Sequence, residues 1–239
     1  MIWNGPRTCF AADVGSRGTV ALAQRSVEML IKQSGRITTR RKQAVESFKN
    51  AAECIGKIGK EMSIFAITRG QWSMIDAILH CLDQVGRSRL SIWTWTVADY
   101  EVQVLNRLMM DNRLIGGCLV IDHGARNKNQ EIIASWKNAF GSDAVRYVVN
   151  HAKIARIESE SGFRLLLRGS MNLNCNPKFE NFDLTEGGAD YDLVEEIENE
   201  LPILSDDVSG ADVCAASKIN QAFDKNQLEM FRGLKYWDR

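Results

Sequence analysis

The residue types able to do chemistry gather in one stretch, His151 to Glu186. Three polar pieces stand in it: His151-Ala152-Lys153, Gly169-Ser170-Met171-Asn172, and Glu180-Asn181 after the turn-forming Asn176-Pro177. The flanking runs Val145–Ile157 and Phe163–Leu167 are rich in β-branched, aromatic and leucine side chains, which predicts strands. Ser159-Glu160-Ser161-Gly162 between them suits a hairpin turn. Alternation along a strand puts His151 and Lys153 on one face, an imidazole beside an ammonium. Gly169 permits close approach of the backbone to a ligand, and Ser170 and Asn172 supply neutral donors. An imidazole, an ammonium, a hydroxyl and a carboxamide converging on one point describe a phosphate site.

The elements that must position these groups follow from the rhythm upstream. Ser63–Thr68, Leu90–Thr96 and the continuous apolar run Ile115–Ile121 predict strands. Trp72–Val85, Asp99–Met110 with Asp99 as cap, and Asn129–Phe140 predict helices. Strands alternating with helices imply an α/β fold, a mixed and mostly parallel central sheet flanked by helices, with the motif strands central. Phe182–Thr185 adds a strand. Tyr191–Leu201 is an acidic helix stopped by Pro202, and a last helical region runs from Asp212 to Leu234. At the other end, Thr19–Gln33 and Arg40–Ile58 predict two basic helices, of which a DNA-reading pair is the less expected use and packing on the sheet the more expected. The organisation is a basic helical region over 1–60, an α/β core over 61–186 and an acidic helical region over 187–239, or all three in one compact domain.

Composition narrows the class. Hydrophobic residues make up 45% and charged residues 25% of 239, the balance of a soluble globular chain able to bury a large core. The six cysteines are scattered with no C-x-x-C spacing, and the three histidines pair with none of them, which argues against zinc. Cys81 and Cys118 fall in apolar patterns and are expected as reduced core thiols. No apolar leader opens the chain and no run is long enough to span a bilayer, so the expected compartment is cytoplasmic. The 30 basic and 30 acidic side chains cancel, yet they are unevenly spread. A basic N-terminal quarter favours a polyanion or forms a solvated face, and the acidic C-terminal segment could neutralise it. His80 is expected as a structural or surface residue. His123, after a strand end, is at most a substrate contact.

In its three pieces, His151-x-Lys153, Gly169-Ser170-x-Asn172 and Glu180, the chain resembles the phospholipase D superfamily, single-motif and nuclease-like. Two departures accompany the likeness: Glu158 stands where an Asp is usual, and the interval from Lys153 to Gly169 is longer, consistent with a longer hairpin. The resemblance implies a phospholipase D-like fold and metal-independent phosphodiester cleavage without a cofactor. His151 would be the nucleophile, Lys153 and Asn172 would hold the non-bridging oxygens, Ser170 and Gly169 would contact substrate, and Glu180 would orient an imidazole. It implies a second histidine as well, and with one motif per chain the remedy is a homodimer with a composite site. The expected substrate is nucleic acid, DNA before RNA. The alternatives are a lipid phosphodiesterase and a non-catalytic nucleic-acid-binding or assembly module that keeps the pocket.

Overall fold

Among the described residues a mixed sheet of nine strands forms the centre of the fold. The computed structural model describes residues 41–46 and 50–216, which lie in one unit, Ser34–Asn220. The strands are β1 (Arg41–Glu46), β2 (Met62–Thr68), β3 (Ser88–Thr94), β4 (Leu114–Gly116), β5 (Leu119–Asp122), β6 (Val145–Val148), β7 (Ile154–Ser159), β8 (Arg164–Gly169) and β9 (Glu180–Glu186). Their order is β1-β2-β9-β8-β7-β3-β5-β6, with β4 beside β3. Four pairings are parallel, β1 with β2, β3 with β4, β3 with β5 and β5 with β6. Four are antiparallel, and they join β2, β9, β8, β7 and β3. The motif strands β7, β8 and β9 are therefore central.

Alternation along the central strands divides the interior in two. Leu165 and Leu167 of β8 and Ala155 and Ile157 of β7 join the main core. That core also takes the apolar sides of α2 (Met74–Val85), α3 (Asp99–Met110) and α4 (Gln130–Phe140). The intervening Leu166 and Ile154 belong to a smaller cluster with Tyr191 and Val194 of α5 (Ala189–Glu200). In α2 the stripe Met74, Ile75, Ala77, Ile78, Cys81, Leu82 and Val85 is buried. Asp76 starts that helix by accepting from the N–H and hydroxyl of Ser73 at 2.8 and 2.7 Å.

The acidic helix α5 is neutralised by arginines of the sheet. Arg156 donates to Glu195 at 2.7 Å, to Glu198 at 2.6 Å and to the Tyr191 hydroxyl at 2.8 Å. Arg164 pairs with Asp192 at 2.6 Å and Arg168 with Asp190 at 2.9 Å. Glu198 is only 3% exposed and also accepts from the Trp93 indole at 2.8 Å.

Several local expectations give way to tertiary structure. The helix expected over Arg40–Ile58 is instead β1 followed by the short α1 (Ala51–Ile55), because β2 offers an open parallel edge that Arg41–Glu46 completes. The run Ile115–Ile121 is broken into β4 and β5. Between them Gly117 sits at φ +142, where a β-carbon would collide with the Leu90 backbone. Asp99 is the first helical residue of α3 and Ala98 holds the cap position, with no capping side chain. Val145–Ile157 is two strands, so His151 and Lys153 stand in the connection ahead of β7. The hairpin β7–β8 turns at Ser159–Gly162 as expected. The expected helix Thr19–Gln33 lies outside the described residues. So does most of the one expected over Asp212–Leu234, of which α6 (Gly210–Ala216) is described. Cys81 is buried and Cys118 half-buried, both as free thiols, and burial pushes each up to about 12. Among the described residues no helix is long and apolar enough to cross a membrane.

Candidate functional site

Three adjacent strands bring the polar pieces to one edge of the sheet. Residues 151–153 enter β7, Gly169 closes β8, and Glu180 opens β9. Antiparallel pairing places these three ends side by side: Ile154 faces Arg168, and Gly169 faces Phe182. The ladder continues past β7, since the Gly169 N–H donates to the Lys153 carbonyl at 3.4 Å. The parallel strands β3 and β5 end on this same edge, the side on which sites form in open α/β sheets.

His151 is exposed and Lys153 half-buried. The Lys153 ammonium lies 3.2 Å from each ring nitrogen of His151 and donates to the His151 carbonyl at 2.8 Å. The expected juxtaposition of imidazole and ammonium is therefore present, held by a turn in place of a pleat. Asn150 makes that turn. Its buried amide accepts from Ala152 N–H at 2.9 Å and donates to the carbonyls of Thr94 and Ala152 at 3.2 and 3.3 Å. The Asn150 N–H is itself taken by Asp122 at 2.9 Å. Asn150, Asp122 and Thr94 thus fix the loop that carries His151. The signal in the sequence was an asparagine two residues before Ala152, where its side chain closes a local turn. The partners Asp122 and Thr94 come from distant strands and left no local trace.

On the neighbouring strands Ser170 donates to a Glu180 carboxylate oxygen, and the Asn181 N–H donates to the Ser170 hydroxyl at 3.0 Å. The other Glu180 oxygen accepts from the Asn176 amide at 3.5 Å. The hydrogen-bond partners of Glu180 are Ser170 and Asn176, and the His151 ring is not among them. Its charge does reach Lys153. Burial holds the Lys153 ammonium below the ordinary lysine range, and the Glu180 carboxylate draws it part of the way back up. Gly169 has a structural reason of its own. A β-carbon there would collide with the Asn181 carbonyl, so the glycine lets β9 close against β8. The carbonyls of Asn172 and Leu173 accept from Met74 and Ile75 at 3.2 and 3.3 Å, which ties this segment to the start of α2. Glu158 points to the α5 side, on the same face as Arg156, two residues away along β7 and removed from the edge that carries His151.

The two remaining histidines have other engagements. His80 Nε2 lies 2.8 Å from the Gly56 carbonyl, and His123 Nε2 lies 2.9 Å from the Val208 carbonyl. Among the described residues no group of three or more His, Cys, Asp and Glu side chains is arranged to hold a metal ion.

No family model and no curated protein matches the chain. Among solved structures it is similar to Nuc from Salmonella typhimurium, a phospholipase D family member. That match has 15% identity and a TM-score of 0.36 and covers 58% of this chain and 92% of the other. A likeness of that size leaves the family unassigned, and the side chains at the sheet edge carry the chemical reading. They offer a ring nitrogen exposed to solvent, an ammonium beside it, a hydroxyl and a carboxamide within one loop, and a carboxylate behind the hydroxyl. Cations and neutral donors of this kind suit a tetrahedral anion.

Proposed function

We propose that the chain is a metal-independent phosphodiesterase that cleaves nucleic acid, DNA before RNA, through a phosphohistidine intermediate. The observation that supports this most is the pairing of the His151 ring with the Lys153 ammonium at 3.2 Å, one strand away from the Ser170–Glu180 pair. In the first step a ring nitrogen of His151 bonds to phosphorus and the ester oxygen leaves, taking a proton from a second histidine. In the second step that histidine removes a proton from water, the hydroxide bonds to phosphorus, and the P–N bond breaks to free His151. Lys153 and the Asn172 amide offset charge on the non-bridging oxygens. Ser170, whose hydroxyl donates to Glu180 in the free site, contacts the phosphate by turning that proton to a phosphate oxygen. The second histidine is His151 of another copy of the chain.

The test is cleavage of single- and double-stranded DNA and of RNA in EDTA, with His151→Ala beside the unmutated protein. Cleavage that persists in EDTA and is lost in His151→Ala is the expected result. Activity that vanishes with chelation and returns with Mg²⁺ rejects the mechanism. One observation favours a second reading, a binding module that keeps the pocket without turnover: Glu180 is engaged by Ser170 and Asn176 and does not take part in orienting the His151 ring. DNA binding without cleavage by the unmutated protein would select it.

A further inference from the structure

Large apolar side chains stand exposed on both flanks of the His151–Lys153 pair. Phe179, 71% exposed, directly precedes Glu180 at the start of β9. Trp95, 49% exposed, directly follows the end of β3, and Val149, 47% exposed, lies two residues before His151. The strand order β9-β8-β7-β3 separates the Phe179 and Trp95 positions by three strand spacings, roughly 14 Å. The groups of the candidate phosphate site, Ser170 just past β8 and Lys153 before β7, lie between them. The Arg69 guanidinium sits 5.5 Å from the Phe179 ring centre, and Lys178 is exposed next to it. Leaving rings in water costs free energy that burial would recover. Two rings astride a cationic phosphate site match a strand that carries a phosphate at its middle and a base on either side.

We propose that the substrate is single-stranded nucleic acid, lying across the strand ends with one base stacked on Trp95 and another on Phe179. The inference rests on the phosphodiesterase reading and adds the substrate's form. Every base has a face that stacks on an aromatic ring, so the platform grips a strand without reading its sequence. In a duplex those faces are already covered by neighbouring bases, and the rings gain nothing. Arg69 and Lys178 follow the backbone on the Phe179 side.

The test uses His151→Ala protein, so that binding is read without cleavage, and a fluorescein-labelled oligothymidylate against a hairpin duplex in fluorescence anisotropy. Trp95→Ala and Phe179→Ala should each weaken single-strand binding about tenfold, the value of one stacked base, and leave duplex binding within twofold. Trp95→Leu and Phe179→Leu keep apolar area without a ring and should show the same losses. Met110→Ala, an exposed apolar residue at the far end of α3, should change neither. Equal losses for both probes, no loss for the single strand, or full binding by the leucine variants would overturn the proposal. So would a drop in sedimentation coefficient on either ring substitution, which would make the patch a subunit contact. Cleavage by the unmutated protein is scored separately: its absence rejects the phosphodiesterase, whereas ring variants that cleave and bind single strands normally reject only the stacking platform.

Discussion

Lys153 is poised by two opposing influences. Burial disfavours its ammonium, and the Glu180 carboxylate favours it. If the ammonium stabilises charge on phosphate, activity must fall as pH rises through its lowered value, on an alkaline limb that lies below the roughly 10.4 of an ordinary lysine. Glu180→Gln removes the favouring charge, so the same limb should move further toward neutrality while oligonucleotide affinity changes little. Lys153→Ala should cost about 10²–10³ in kcat and weaken binding too. A limb that stays in place in Glu180→Gln would show that the two groups are uncoupled. Gly169 makes a separate demand. Gly169→Ala forces β8 and β9 apart at the Asn181 carbonyl, and a clash of that kind in a central pair costs about 2–3 kcal/mol. For a protein of this size that lowers Tm by roughly 4–12 °C in a thermal melt. The meeting of His151, Lys153 and Ser170 at one end of adjacent strands was legible from type and spacing. The job of Gly169 was not, because the constraint comes from Asn181, a residue of another strand.

Helix α5 shows how an acidic segment with a thin apolar stripe still packs. Its carboxylates are aimed at Arg156, Arg164 and Arg168, which stand on one face of β7 and β8. Arg156→Met should therefore be severe, about 3–5 kcal/mol by urea denaturation, because it leaves the buried Glu198 without its charge partner. Arg156→Met combined with Glu198→Gln should recover most of that loss, since the amide still accepts from Trp93 and no charge stays buried. A double variant as unstable as the single one would place the loss in packing alone. The sequence showed α5 and the strands under it, but alternation could not say which charged face met which. The same limit explains β1. Arg41–Glu46 carries a weak stripe that suits a helix as well as a strand, and only the vacant edge of β2 decides between them. The strands β8 and β9 and the β7–β8 turn were legible because the apolar runs end in turn residues, whereas the break between β6 and β7 was not. The split of Ile115–Ile121 at Gly117 was not, because it answers to the Leu90 backbone.

At the scale of the whole molecule, the proposed phosphodiesterase reading turns on the count of histidines. The chain has three. His80 is held at Gly56 and His123 at Val208, on elements that do not carry the motif. The proposed two-step displacement uses one histidine to attack and another to protonate, so under that reading a second His151 reaches the same phosphate. A two-fold axis at the exposed strand ends meets that need with one interface, and it brings Lys153 and Asn172 twice to the non-bridging oxygens. The expected outcome is a dimer by sedimentation at micromolar concentration. Co-refolding equal amounts of unmutated and His151→Ala chains pairs them at random, so activity should fall to about one quarter of that of the unmutated dimer at equal total protein. Activity near one half would mean that each chain works alone. A monomer with full activity would place both proton transfers inside one chain, and a side chain other than histidine would then have to protonate the leaving oxygen.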